Sequence, residues 1–372
     1  MKKKFLPFIN RRFVHSAGAA GDFTASTHRS FLLKAEEMWA DGKWKDDNTP
    51  HVDSLLMQLS AQTARFQELN DPNKDNSVVV TWLKQCAEET SDLDRSTDIC
   101  EVEGAQLETD SETYAYDLKQ KFSFSVDEEK IRTGVYELDE QVAFGMLRGD
   151  KALSEYYNKQ LLLAVKAAAG PNIPAINGDV LGITWDAGNN AADIPQSEYN
   201  MKIVAKLIKM QQLNQVNAGY YINRGSLFEA FKDAGYDVSN ADGKGDGARK
   251  ADVNMTFDMW NFPKAGLTED MFLVSNSALA VKTYTRYGDT PVYKAGNINQ
   301  WRYRMKSNIL PGVYYDVIHM LTCVDGHDVH TFQIMTEGGI FVNPFSCPQT
   351  VTIADAETEV TATGVYAFNQ VA

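Results

Sequence analysis

The stretch DEEKIRTGVYELDEQVAFGMLRGDKALSEYYNKQLLLAVKAAAG, residues Asp127–Gly170, decides how the rest of the chain is read. Ile131, Val135, Leu138, Val142 and Met146 recur at spacings of four, three, four and four, which is one face of an α-helix. Asp127 is placed as N-cap, and Glu128 and Glu129 put negative charge at the positive end of the helix dipole. Lys166 falls in the last turn, Gly170 suits the C′ position and Pro171 blocks continuation. Gly145 and Gly149 each weaken the middle by roughly 1 kcal/mol relative to alanine, so a kink or short break is expected there. Asp150 would then recap a second half carrying Leu153, Tyr157, Leu161 and Ala164. A continuous helix would span about 64 Å at about 1.5 Å per residue, longer than one compact domain needs, and is read as a spine.

Composition bounds the remainder. The chain has 372 residues, 44% of them apolar, enough for a sizeable core and two subdomains. A net charge of -14 argues against a general nucleic-acid binder, because a polyanion would be repelled. The exception is the N-terminal dozen residues, where Lys2, Lys3, Lys4, Arg11 and Arg12 occur without an acid. The apolar piece Phe5 to Ile9 is too short for the core of a signal peptide, and no stretch approaches eighteen uncharged apolar residues, so no membrane span is expected. Cys86, Cys100, Cys323 and Cys347 are too scattered for a disulfide framework, which makes a reducing cytosol the default compartment.

Outward from the spine, residues 1–25 read as an extended arm. Thr27 is placed as the cap of a short helix with Phe31, Leu32, Ala35 and Met38 on one side, and a second helix is expected from His51 to Phe66. Val78 to Val80 mark a strand. From Tyr114 to Val126 the apolar residues fall on alternate positions, the signature of one long half-buried strand. Between the two strands lies Ala87 to Ser111, rich in Asp and Glu, read either as a disordered acidic insert or, preferred beside so long a strand, as an extended two-stranded loop projecting from the body. After the spine, Pro171 to Gln196 reads as loop, Met201 to Leu213 as helix and Tyr220 to Ile222 as strand. Ser226 is placed as the cap of a helix ending at Gly235. Strands are expected at Val253 to Phe262 and Met271 to Val274, with a helical turn at Asn276 to Val281. The C-terminal part is β-rich, with Asp325-Gly326 as a two-residue hairpin turn between two of its strands. The fold class is therefore α+β.

Four places carry residues with chemical potential. His319, Cys323, His327 and His330 form the only cluster of soft metal ligands; the hairpin puts His319, Cys323 and His330 on one face beside Asp328, a set zinc accepts. Val317, Leu321 and Phe332 share that face, so a packed sheet surface is the simpler account. Asp237, Asn240, Asp242 and Asp246 gather calcium-type ligands without the register or distal Glu of a calcium loop. Arg148-Gly149-Asp150 spells an adhesion tripeptide but falls inside the helix. The basic N-terminus could touch a phosphate backbone or be a solvated tail. There is no P-loop, dinucleotide fingerprint, nucleophile elbow or His-Glu-x-x-His, and no metal or cofactor is expected.

The order of elements resembles the tailed-bacteriophage major capsid protein, over nearly the whole chain. The residues that carry the resemblance are the strand KFSFSV (Lys121–Val126) running into the spine, the turn NGDVLGI (Asn177–Ile183) after it, and MFLVSNSALAV (Met271–Val281). That resemblance implies an N-terminal arm with helices (1–70), an extended loop (84–118) with flanking strands (71–126), a spine helix of the peripheral domain (127–170), an axial domain (171–300) and a β-rich C-terminal part shared between the two (301–372). It implies a non-enzymatic shell subunit in the virion, assembled in the host cytoplasm, whose partners are copies of itself in pentamers and hexamers. Portal, decoration and separate scaffold proteins are further implied partners, with double-stranded DNA enclosed but not read. Candidate interface residues are Lys2, Lys3, Lys4, Arg11 and Arg12 of the arm and Asp92, Asp94 and Asp98 of the acidic loop. The alternatives are an encapsulin-like compartment shell and an acidic cytosolic metal-dependent hydrolase built on His319, Cys323 and His330.

Overall fold

The computed structural model describes residues 24–42, 50–69, 76–83, 109–132, 134, 136–170, 184–186, 191–198, 203–213, 216, 218–228, 254–294, 300–324, 327–344, 347–353, 356–362 and 364–371. In chain order these form helices α1 (Ala25–Ala40) and α2 (Asp53–Ala61), then strands β1 (Arg65–Leu69), β2 (Ser77–Leu83), β3 (Thr109–Ala115) and β4 (Leu118–Asp127). Two helices follow, α3 (Glu128–Arg132) and α4 (Leu138–Ala168). The chain continues through β5 (Thr184–Asp186), β6 (Ala191–Pro195), α5 (Ile203–Leu213), β7 (Gly219–Asn223), β8 (Met255–Phe257) and α6 (Asn261–Ala265). Nine strands complete it: β9 (Met271–Ser275), β10 (Leu279–Tyr284), β11 (Val292–Lys294), β12 (Gln300–Lys306), β13 (Tyr314–Val324), β14 (His327–Val342), β15 (Cys347–Ile353), β16 (Ala356–Ala362) and β17 (Val365–Val371).

The spine exists, shorter than expected and unbroken. α4 is a single helix of 31 residues, about 46 Å at about 1.5 Å per residue. The interruption falls upstream, between α3 and α4, where Glu137 takes the N-cap position and its N–H donates to Glu140 Oε2 at 3.3 Å. Asp127 does act as a cap, of the short α3, its Oδ1 accepting from the Glu129 N–H at 3.0 Å. Gly145 and Gly149 do not break α4. They are where strand rings press on it: a Cβ on Gly145 would stand 2.3 Å from the Phe124 ring, and one on Gly149 would stand 2.5 Å from Ile334 Cδ1. Asp150 recaps nothing. It is buried in the middle of the helix, accepting from Ser307 Oγ at 2.6 Å and the Asn308 N–H at 2.7 Å, and so ties the turn after β12 to the spine.

α4 lies across two sheets. The first runs β10-β14-β13-β12-β11, all antiparallel, with β4 on the other edge of β14 from Leu118↔Gly338 to Asp127↔Val329. The second runs β5-β6-β17-β9-β7-β8, with β17 parallel to β6 and β7 parallel to β8. The chain's last strand thus pairs in the sheet that begins just after the spine. One core joins both sheets: Val142, Met146, Tyr157, Leu161 and Val165 of α4 cluster with Phe332 and Ile334 of the first and with Phe272, Val274 and Val365 of the second. α1 and α2 pack on α4 with their buried faces, so the helices ahead of the main body dock on their own chain, while Phe144 and Leu163 of α4 stay exposed. α1 does so with His28, Phe31 and Ala35, capped by Thr24 and not by Thr27.

Other expectations shift by a few residues or change type. The helix expected to reach Phe66 stops at Ala61, and Phe66 belongs to β1. The single strand 114–126 is two, β3 and β4, separated at Tyr116-Asp117. Pro171 to Gln196 contains β5 and β6, the strand expected at 253–262 ends at Phe257 ahead of α6, and Asn276 to Val281 is a turn that enters β10. At Ser226 the capping oxygen belongs to Asn223, whose Oδ1 accepts from the Gly225 and Leu227 N–H groups.

Candidate functional site

The clustered histidines come together, but as a hydrogen-bonded chain of rings and not as ligands around a centre. β13 and β14 pair up to Val324 opposite His327, the register expected of the hairpin, and His319 sits opposite Phe332; Asp325 and Gly326 lie outside the described residues. His319 and His330 are both buried, and α1 brings a third ring, His28, onto the same face of the sheet. His28 Nδ1 lies 3.0 Å from the Thr24 carbonyl oxygen, and His28 Nε2 lies 2.9 Å from His319 Nδ1. His319 Nε2 then lies 3.1 Å from His330 Nδ1, and His330 Nε2 lies 2.8 Å from Glu128 Oε1 on α3. Phe332 stacks on His319 at 4.3 Å, while Trp301 and Tyr303 of β12 pack against His28 at 4.8 and 5.2 Å. Burial in this apolar surround lowers His28 to about 4 and His319 to about 2, so both rings are neutral.

That geometry removes the expected ligand set. Zinc needs each donor about 2.0–2.3 Å from one point, whereas here each ring nitrogen of His319 points at a nitrogen of another ring. Cys323 is exposed, opposite Asp328 near the hairpin end, and its thiol is free. His327 pairs instead with Glu129 at 2.6 Å. Among the described residues no group of three or more His, Cys, Asp or Glu side chains is arranged to hold a metal ion. Two members of the histidine chain carried no sequence signal. His28 lies 291 residues from His319, and Glu128 reads from sequence only as a dipole partner.

A second feature is β structure left open among the described residues. β1-β2-β3 form a small antiparallel sheet anchored by one face: Val78, Val80, Trp82 and Tyr116 cluster with Ala280 and Phe341, and the Tyr114 hydroxyl donates to the Val342 carbonyl at 3.0 Å. β2 and β3 are paired out to Leu83↔Thr109, so the acidic segment between them leaves and returns at one place. Its preferred reading as a two-stranded loop is matched at that base alone. β15 and β16 form a ribbon, joined with Ile353 opposite Ala356, whose strands pair only with each other among the described residues. Leu33, Tyr136, Trp260 and Val292 add large exposed apolar side chains elsewhere.

The other sequence candidates divide simply. Arg148 is exposed, but Gly149 and Asp150 are buried, so the tripeptide is not presented as a surface motif. Lys2, Lys3, Lys4, Arg11, Arg12, Asp92, Asp94, Asp98, Asp237, Asn240, Asp242 and Asp246 lie outside the described residues. No helix among the described residues is long and apolar enough to cross a membrane.

No family model matches the chain, and no curated protein matches it. Among solved structures it is similar to a chain of the capsid structure of the Cyanophage P-SCSP1u, with a TM-score of 0.40 and 9% identity over 84% of this chain and 86% of that one. It is similar also to a chain from Mycobacterium phage Che8, with a TM-score of 0.36 and 12% identity over 83% and 93%. A third is from the capsid structure of Staphylococcus phage Andhra, with a TM-score of 0.34 and 9% identity over 83% of each. Identities and scores this low leave function to be decided by the chain's own features.

Proposed function

We infer that this chain is a tailed-bacteriophage major capsid subunit, which acts through interfaces and not through catalysis. The observation that carries the reading is the β structure left open among the described residues, beside a spine that keeps Phe144 and Leu163 exposed. Among the described residues the β15–β16 ribbon pairs with nothing else, and the β1–β3 sheet is anchored by one face with no strand paired on the outer edge of β1 or β3. A two-stranded ribbon alone is marginal in water, and open strand edges template further pairing unless a neighbour covers them. The order of elements supports the same reading, with a strand leading to a helix that joins two sheets and an acidic segment of sequence between the paired strands β2 and β3. Copies of the chain would meet through these parts in rings of five and six, enclosing double-stranded DNA without reading it. Portal, scaffold and decoration proteins are the further partners of such a shell.

The candidate interface residues keep their roles in this proposal. Asp92, Asp94 and Asp98 lie in a segment with eight acids and two bases (84–108) and would rest on a basic surface of a neighbouring subunit. Lys2, Lys3, Lys4, Arg11 and Arg12 would face the lumen or pair with acids of an adjacent subunit. Negative-stain microscopy of the expressed chain, alone and with its scaffold, is the test. Closed shells of uniform size are expected; a chain that stays monomeric under all conditions overturns the reading.

A further inference from the structure

Counting hydrogens along the buried histidine chain gives a result that no single residue shows. Four contacts run in series, from the Thr24 carbonyl through His28, His319 and His330 to the Glu128 carboxylate. Each contact needs one hydrogen. The two ends, a carbonyl and an ionised carboxylate, only accept, and three neutral imidazoles carry one N–H each. Three hydrogens cannot fill four contacts.

We propose that the series His28–His319–His330–Glu128 is a binding site for one additional proton, and that this proton latches α1 onto the sheet and α3. With it, every contact has a donor and an acceptor. The carboxylate of Glu128 fixes where the charge resides, since among the four contacts it is the anion, and it faces His330. Burial, which holds His28 and His319 far below the ordinary imidazole value, agrees with that placement. His28 and His319 are then neutral with the hydrogen on Nδ1, and His330 carries both.

Other ionisable groups on the described surrounding elements have these positions. On β12 the Tyr303 phenol is fully buried, and its pKa is pushed far above the usual value, so it stays neutral. Arg302, also on β12, has its guanidinium carbon 5.5 Å from the Tyr287 ring. Glu129 of α3 is engaged by His327 at 2.6 Å, and Asp127 at the end of β4 caps α3. Lys130 of α3, Asp328 of β14 and Arg29 of α1 are not among the four contacts.

Removing the proton places two acceptors face to face somewhere in a series whose two His–His contacts are buried and whose end contacts are part-buried, a loss of a whole contact. The elements it joins are far apart in sequence, so the consequence is local release of α1 and not unfolding of the chain. The docked state binds the proton and is lost as pH rises. The site belongs to the subunit and stands whether or not the chain builds a shell.

Glu128→Gln separates this from an ordinary packing role. A glutamine amide supplies the missing hydrogen to His330 Nε2 at every pH, while keeping shape and contact. Hydrogen–deuterium exchange of the full chain, corrected for intrinsic rates, is compared from roughly pH 6 to roughly pH 9, with β9 and β17 as internal reference. In the wild type, protection of Ala25–Ala40 should fall about tenfold or more relative to the reference. In the Gln variant it should stay level. Histidine-selective ¹⁵N NMR of the wild type reads the same site without substitution and should show one imidazolium and two neutral Nδ1–H rings at neutral pH. Parallel pH profiles in wild type and variant, a flat wild-type profile, or three neutral rings would each overturn the proposal.

Discussion

Gly145 sets two effects of opposite sign against each other. In a solvent-facing helix, replacing it by alanine would gain about 1 kcal/mol of propensity. Here the new methyl would overlap the Phe124 ring, which is itself stacked on Phe332 at 5.1 Å and would have to shift. Overpacking of that kind costs roughly 1–3 kcal/mol, so Gly145→Ala is expected to lower the urea midpoint with an unchanged slope. Asp150 makes a prediction in pH. Burial raises its carboxyl from 3.8 to about 6, with the Ser307, Asn308 and Ser154 donors opposing the shift. Its folded pKa lies above the unfolded one, so its contribution is fully present below 3.8 and is lost as pH rises through about 6, a change of roughly 3 kcal/mol. His28 and His319 act in the other sense. Their folded values lie below 6.5, so their contribution is lost as pH falls beneath 6.5. Thermal melts of wild type and Asp150→Asn from about pH 4 to about pH 7 isolate the first effect: the variant should gain on the wild type across that range. A constant difference would show that the carboxyl does not titrate there.

At the scale of elements, the alternation in Lys121–Val126 was readable because β4 buries one face only, with Phe122, Phe124 and Val126 turned inward and Lys121, Ser123 and Ser125 outward. β10 was not readable. Leu279, Ala280 and Val281 are all buried, and a short all-apolar run fits a helical turn as well as a strand. Its partner is the second half of β14, Glu337 to Val342, and that pairing decides the matter. The β15–β16 ribbon has no further pairing to decide it within the described residues. If a neighbouring subunit covers it, amides of Cys347–Ile353 and Ala356–Ala362 should exchange rapidly in isolated subunits and slowly in assembled particles. Equal exchange in both states would remove the ribbon from the interface.

For the whole molecule, the proposed shell makes a prediction from the acidic segment between β2 and β3, part of a net charge of -14. Exposed pairs contribute about 0.2–1 kcal/mol each, small for one subunit but repeated at every contact of a shell. Reversing Asp92, Asp94 and Asp98 to Lys together is therefore expected to leave the subunit's melting temperature within a few degrees of wild type while abolishing or slowing particle formation. Sedimentation alongside a thermal melt reads both quantities on one preparation. Normal particles from the triple variant would take the acidic segment out of the contact.

What the sequence determined by itself is local. The apolar face of the spine from Leu138 on, its basic last turn and the alternating strand that leads towards it all depend on neighbours a few positions apart, where periodicity and capping act. What only the tertiary structure decided depends on residues that meet from afar. Gly145 and Gly149 look like helix breakers until Phe124 and Ile334 occupy the space a side chain would fill. Asp150 looks like a cap until Ser307 and Asn308 reach it. The soft-ligand cluster looks like a metal site until α1 inserts His28 and α3 supplies Glu128, because a ring nitrogen's role is set by whichever atom lies opposite it, and spacing along the chain does not specify that atom.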